Sequence, residues 1–503
     1  MSEKTSLKSK AISGAIWSFI DVTGTQGLQV IVQIVLARLL FPEDFGIIGM
    51  VTVFVAISQA FIDSGFMQGL IREKKVKHED YSTVFLFNLV IAVLLYSVFF
   101  VSADLISQFF GYSEIVPIIR VLSIILVINA FGLIQRTMLM KNVNFKAIAK
   151  INLISVFFSG IIAIVMAALG FGVWSLVVKT VFMQFIKAVL FSFYNRWIPK
   201  LVFNFESFTR IFNFGWKLLL SRILTTIYQN IYYLIIGRGF TATDLGHYTN
   251  AKKLKDAAAN TITISVQKVS YPVLSNIQND SARLKRGYKQ IIKNSVFVIF
   301  PVMLGLSAVA PALFRVVLGE KWIAATPYFQ ILCLAGMLFP LHAINLNILQ
   351  VKGRSDLYLL VSVLKKIVGL TFIGIVLFLG LGIMGLMWSA VVTSYLSYFI
   401  NAFYSKKVIS YSVFEQIKDI SLYYLLSGAM AFIVFSMNYI FNINDIILLF
   451  IQICVGVSIY VGINLILKTT EYKTILTILK ENYHRIVSRK STISESGEIY
   501  EKN

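Results

Sequence analysis

From residue 12 to residue 467 the chain presents one apolar run after another, each of about twenty residues and long enough to cross a ~30 Å hydrocarbon core as a helix. A bilayer core has no water for unpaired backbone groups, so runs of this length and spacing must be helical. Spans are expected near 12–36, 46–70, 83–107, 115–138, 149–169, 172–194, 211–236, 246–272, 290–310, 324–347, 358–380, 383–404, 420–440 and 445–467, about fourteen in all. Lys4, Lys8 and Lys10 precede the first run and imitate a signal peptide. The run is too long for one and lacks a cleavage site, so it is expected to remain as a span. The fold class is therefore all-α and polytopic.

Charge sets the orientation. The net charge of +22 would point to nucleic acid in a soluble protein. Here the cations fall in alternate loops, at Arg72–Lys77, Lys141–Lys150, Arg196–Lys200, Arg283–Lys289, Lys352–Arg354 and Lys406–Lys407. The intervening loops are short and nearly uncharged, with Arg38, Arg238, Arg315 and Lys321 as exceptions. By the positive-inside rule the basic side, with both termini, is cytoplasmic, and no nucleic-acid partner is implied. The two cysteines, Cys333 and Cys454, lie in apolar runs and imply neither a disulfide framework nor a metal cluster. The polar tail from residue 468 is read as disordered or loosely helical and receives no function.

The chain is also duplicated. Ala37-Arg38-Leu39-Leu40-Phe41-Pro42-Glu43-Asp44-Phe45-Gly46 returns as Gly237-Arg238-Gly239-Phe240-Thr241-Ala242-Thr243-Asp244-Leu245-Gly246, aligning Arg38, Asp44 and Gly46 with Arg238, Asp244 and Gly246. Trp174-Ser175 and Phe185-Ile186 return as Trp388-Ser389 and Phe399-Ile400. Residues 1–205 and 206–417 read as two six-helix lobes, 418–467 as an extra helix pair and 468–503 as a cytoplasmic tail. Six is even, so both lobes enter the membrane in the same orientation. That predicts a pseudo-two-fold axis along the membrane normal, with the working site between the lobes.

The lobes differ in polarity. Lys252, Lys253, Lys255, Asp256 and Lys268 of the second correspond to Thr52, Val53, Val55, Ala56 and Gln68 of the first. In a helix starting at Gly246 the first four would lie ~10–15 Å inside the outer end. A lysine at the helix centre costs about 2.5–3.5 kcal/mol, so either these lysines face a wet cavity or the helix starts later and they snorkel to the surface. Lys217 and Arg222 on the preceding span, and Lys179 and Lys187 eight residues apart on the sixth, carry the same pair of readings. Asp21 and Asp63 either contact substrate or neutralise a cation or cap a broken helix. Arg38, Asp44, Arg238 and Asp244 join Asp21, Asp63 and Asp256 as charge-balancing or gating candidates. A cationic cavity at bilayer depth suits a phosphate or pyrophosphate, with Lys as a point charge and Arg as a bidentate fork.

Other chemistries find less support. No glycine loop leads into Gly-Lys-Ser/Thr, and Gly380-Leu381-Gly382-Ile383-Met384-Gly385 lies between two apolar spans rather than after a strand, which makes it a tight outer turn. The four histidines are scattered, with no metal or catalytic pairing, and no enzyme is expected. His342 either couples to protons or is a satisfied polar residue. No cofactor is expected, and coupling to H⁺ or Na⁺ stays open.

The segment Ala37-Arg38-Leu39-Leu40-x-Pro42-Glu43-Asp44-Phe45-Gly46, then Asp63-Ser64-Gly65-Phe66, resembles the polysaccharide transporter family. These are the Wzx-type lipid-linked oligosaccharide flippases of the multidrug/oligosaccharidyl-lipid/polysaccharide exporter superfamily. Asp244-Leu245-Gly246-His247-Tyr248-x-x-Ala251 and Tyr271-Pro272-Val273-Leu274-Ser275 resemble it too, with His247 where Tyr is usual and Lys253 where Arg is frequent. The resemblance covers roughly residues 8–420. It implies alternating access by two six-helix lobes in a bacterial plasma membrane. The substrate it implies is a polyprenyl-pyrophosphate-linked repeat unit, carried to the outer leaflet for lipopolysaccharide, exopolysaccharide, capsule or teichuronic-type glycan. A polysaccharide polymerase or export complex is the implied partner besides membrane lipid. Two other readings remain. A cation-coupled drug exporter would want an acidic cavity, and a membrane glycan polymerase or ligase would need a large outer loop.

Overall fold

The computed structural model describes residues 2–63, 66–73, 75–473 and 477. Ser64, Gly65, Lys74, the side chains of Asp63, Lys4, Lys8 and Lys10, and most of the expected tail lie outside the described residues. The described elements are helical: α1 (Ser2–Leu39), α2 (Pro42–Asp63), α3 (Phe66–Arg72), α4 (His78–Phe110), α5 (Ile115–Leu122), α6 (Ile124–Lys141), α7 (Phe145–Ala168), α8 (Val173–Asn195), α9 (Phe205–Gly239), α10 (Ala242–Asn276), α11 (Ser281–Ala308), α12 (Ala310–Leu313), α13 (Thr326–Gly336), α14 (Phe339–Val351), α15 (Ser355–Phe378), α16 (Gly382–Ile409), α17 (Val413–Ile440) and α18 (Asp445–Ile466). A π turn (Phe314–Leu318) and a 3₁₀ turn (Glu320–Ala325) join α12 to α13.

Every expected span has a helix. Twelve candidate spans are long and apolar enough to cross a membrane among the described residues. The other two expected spans are α9 and α10, of 35 residues each. Their charged residues, including Lys217, Arg222, Lys252, Lys253, Lys255 and Asp256, pull them below the hydropathy of the rest. Two expected spans are broken at described residues. The 115–138 run divides at Ser123 into α5 and α6, and the 324–347 run divides after Gly336 into α13 and α14. Gly380 and Gly382 adopt φ of 62° and 65°, as a tight turn requires and a side chain resists.

The chain forms two compact units. The first comprises Met1–Ala257, Val317–Phe329 and Leu379–Leu386. In it the N-terminal ends of α2 and α10 cross at backbone contact. A methyl added at Gly46 would overlap the carbonyl of Ala242, and one at Gly246 would overlap the carbonyl of Pro42. The two copies of the duplicated motif thus meet glycine to backbone, reciprocally. Small residues close the other crossings as well. Gly160 of α7 admits Val32 of α1, and Gly132 of α6 lies against Ala188 of α8. Trp322, fully buried, donates from Nε1 to the Ala37 carbonyl at 2.8 Å. It packs edge-on against Phe45 at 5.3 Å and His247 at 5.7 Å, and so touches both motif copies.

The second unit comprises Ala258–Val316, Gln330–Phe378 and Met387–Asn503. Tyr288 of α11 donates to Asn345 of α14 at 2.7 Å, and Tyr460 of α18 donates to the Phe297 carbonyl at 2.9 Å. Asp419 of α17 gathers Lys289 at 2.8 Å and Lys293 at 3.5 Å, with the Tyr411 hydroxyl at 2.6 Å. Ser412 and Glu415 form the capping box that starts α17. The Ser412 backbone N–H donates to the Glu415 carboxylate at 2.9 Å.

The glycine crossing makes a direct prediction. Gly46→Ala and Gly246→Ala should each destabilise the detergent-purified protein by about 1–3 kcal/mol, because the obstacle is backbone and cannot rotate away. Gly27→Ala, with nothing within 4 Å of the added carbon, should not. Thermal unfolding followed by size-exclusion checks this, and equal midpoints for all three would contradict it.

Candidate functional site

α10 begins at Ala242 rather than later, so Lys252 to Asp256 lie ~15–21 Å along it. The alternative of a late helix start is removed. Asp244, at the start of α10, accepts from the Thr241 hydroxyl at 2.8 Å and from its backbone N–H at 3.3 Å. Asp44 accepts from the Phe41 N–H at 2.9 Å in the first copy. Both carboxylates thereby satisfy orphan donors at a helix start.

About three turns further along α10, Asp256 is shared by two lysines. Lys252 Nζ lies 2.6 Å from its Oδ2, and Lys255 Nζ pairs with its Oδ1. The Lys255 side chain is 5% exposed, against 27% for Lys252 and 23% for Asp256. Lys253 takes a different environment. It is exposed, stands over the Phe45 ring at 5.8 Å, and makes no ion pair among the described residues. The Lys253 charge acts on Lys179 of α8, and the Lys252 charge acts on Lys253. The local sum is four lysines against one carboxylate. Buried Gln33 of α1 donates to buried Asn250 of α10, tying the helix that bears the lysines to α1.

A second group lies on α1, α6, α7 and α8. Asn152 donates to both oxygens of Asp21, at 3.0 and 3.2 Å. Lys187 feels the charges of Arg136 and Asp21. Lys179 and Lys187 are ~12 Å apart along α8. The remaining candidates join neither group. Lys217 is exposed over the Trp216 ring at 5.8 Å, and Arg222 is exposed farther along α9. Arg38 donates from Nε to the Val317 carbonyl at 2.9 Å, while its own carbonyl accepts from Lys321 at 2.9 Å. Arg238 stacks over Phe109 at 5.4 Å.

Three residues of interest escaped the sequence reading: Arg136, Lys365 and Lys366. Each is an ionisable group inside an expected span, and a census of every charge in every span would have found them. His342 proves to be satisfied on both ring nitrogens. Asn401 Nδ2 lies 3.0 Å from Nδ1, and Nε2 lies 3.1 Å from Ser394 Oγ, whose hydroxyl donates to the Ala335 carbonyl at 3.0 Å. Asn401 supplies the donor, so the network assigns the neutral ring with its proton on Nε2.

The family model described as "Polysaccharide biosynthesis protein" matches residues 35–327. The chain is 27% identical over 437 residues to the teichuronic acid biosynthesis protein TuaB of Bacillus subtilis (strain 168), covering 86% of this chain and 90% of the relative. It is 26% identical to the succinoglycan biosynthesis transport protein ExoT of Rhizobium meliloti (strain 1021), covering 64% of this chain and 66% of that one. Among solved structures, lipid II flippase MurJ in an inward closed conformation superposes with a TM-score of 0.74 at 16% identity, over 92% of this chain and all of that chain. At that identity the likeness establishes a shared fold.

The shared carboxylate carries a prediction of its own. Asp256→Ala leaves Lys252 and Lys255 uncompensated and should cost about 3 kcal/mol, the lower end of the range because Lys252 is partly exposed. Adding Lys255→Met should restore part of the loss. Thermal unfolding of the single and double variants measures both, and a single variant as stable as wild type would show that Asp256 balances nothing.

Proposed function

The chain belongs to the polysaccharide biosynthesis protein family, and from that premise we propose that it is a flippase carrying a polyprenyl-pyrophosphate-linked oligosaccharide repeat unit from the cytoplasmic to the outer leaflet. It is a multi-pass protein of the bacterial plasma membrane. The reaction is translocation, with no bond made or broken. The lobes that alternate are residues 1–205 and 206–417, with 418–467 as an accessory pair.

The observation that carries the reading is the cation excess on α10 and α8. Lys252 and Lys255 share the single carboxylate of Asp256, whereas Lys253 and Lys179 make no ion pair among the described residues and the Lys253 charge acts on Lys179. Dehydrating unpaired like charges is expensive. An empty carrier therefore resists closing over them. A pyrophosphate brings the missing negative charge, lowers that cost and lets the loaded carrier close. Release follows when water on the outer side rehydrates both partners. The same excess disfavours a drug exporter, which would need acidic groups to receive a cation. The glycan passes to a polysaccharide polymerase or export complex.

The test is complementation of cells lacking this protein. Wild type restores surface glycan. Lys253→Glu and Lys179→Glu should reach the membrane in normal amount yet restore less than a tenth of it, since each reversal replaces an attraction to pyrophosphate by a repulsion of several kcal/mol at reduced dielectric. Full restoration by both reversals would refute the pyrophosphate site.

A further inference from the structure

A feature outside the cation groups lies between α6 and α8. A carbon added at Gly132 would stand 3.2 Å from the Ala188 Cα, so the two helices touch there with almost no side chain between them. On either side of that contact stand Ile128 and Phe131 of α6 and Phe185, Val189 and Phe193 of α8. They wall an apolar trough of about 770 Å³. The aromatic walls are not spent on the core, since Phe193 is 75% exposed and Phe131 and Phe185 are about half exposed. Positions 185, 189, 193 and 196 form one stripe along α8. The stripe, and the trough, ends at Arg196.

Arg196 closes α8. Its N–H donates to the Ser192 carbonyl at 2.9 Å, and its φ of 47° is left-handed. That position favours Gly or Asn, and a Cβ-bearing residue there is disfavoured. What the arginine adds is an exposed guanidinium, paired with no carboxylate among the described residues. The connecting segment continues the pattern. Ile198 and Leu201 are 78% and 89% exposed, Phe205 is largely exposed, and Lys200 is exposed among them. Apolar side chains alternating with cations at the end of a spanning helix belong at the membrane–water interface.

We propose that this trough holds one anionic phospholipid of the leaflet on the basic-loop side, its acyl chain against Phe131, Phe185 and Phe193 and its phosphate on Arg196. At bilayer depth the surroundings of the trough are hydrocarbon, so its occupant is a lipid chain. The terminal cation selects a negative headgroup. A single guanidinium at the mouth matches the single charge of a phosphodiester, whereas a pyrophosphate carries more. The inference does not depend on the flippase reading.

Native mass spectrometry of the full chain, delipidated in detergent and titrated with phosphatidylglycerol or with phosphatidylcholine of the same acyl chains, tests it. Wild type should retain one phosphatidylglycerol in preference to phosphatidylcholine. Arg196→Gln should weaken that binding about fivefold and Arg196→Glu about thirtyfold, from the loss of one attraction and the gain of one repulsion. Val189→Trp fills the trough without touching the charge and should weaken both lipids. If that variant fails to fold, the Arg196 pair decides alone. Equal affinity of wild type for the two lipids, or phosphatidylglycerol binding unchanged in Arg196→Glu, overturns the proposal. Displacement of phosphatidylglycerol by an equal concentration of polyprenyl phosphate also overturns it and assigns the trough to the carrier lipid.

Discussion

Two glycines and the carbonyls they face are what the first unit is arranged around. Gly46 approaches Ala242 and Gly246 approaches Pro42, backbone against backbone. In a membrane the hydrophobic effect does not drive helices together, so close backbone approach through small residues supplies much of the association. The contact is reciprocal because the motif is duplicated. Once the two helix starts are fixed, the residues behind them have little freedom. Asp44 and Asp244 take up the backbone donors that the chain reversals leave, and Trp322 fills the space flanked by Phe45 and His247. A rigid crossing at one end also fixes the azimuth of α10, and with it where Lys252 to Asp256 point.

The duplication supplies a scaffold, and its failure to be complete supplies the chemistry. At matched positions α2 carries Thr52, Val53, Val55 and Ala56, while α10 carries Lys252, Lys253, Lys255 and Asp256. Inserting three lysines at the centre of a helix costs about 8–10 kcal/mol on translocon scales. One carboxylate offsets part of that by pairing with two of them. The remaining charge, Lys253, and Lys179 of α8 make no ion pair among the described residues, and on these two the proposed affinity for pyrophosphate rests. Lys217 and Arg222, which the sequence alone ranks with them, stand exposed on α9 and join neither group.

Much of this was legible beforehand. Run length and the need to satisfy backbone groups in lipid give the helices, and the recurrence of Arg38, Asp44 and Gly46 gives the duplication. Two things were not legible. The breaks at Ser123 and after Gly336 leave hydropathy unchanged, so periodicity passes over them. The action of the Lys253 charge on Lys179 of α8, and of the Arg136 charge on Lys187, depends on which helices become neighbours. A single sequence carries no record of that. The apolar trough was hidden for the same reason, since Gly132 and Ala188 are unremarkable until their helices cross.

Transport of a pyrophosphate-linked glycan across the bilayer is the central claim, and reconstitution tests it most directly. Purified protein is placed in liposomes loaded with a polyprenyl-pyrophosphate oligosaccharide in both leaflets, and an impermeant glycosidase is added outside. The account predicts that the protected inner-leaflet fraction falls toward zero in wild-type vesicles and persists in Lys253→Glu vesicles of equal protein content. A protected fraction that persists in wild-type vesicles, or that falls equally in both, would contradict it.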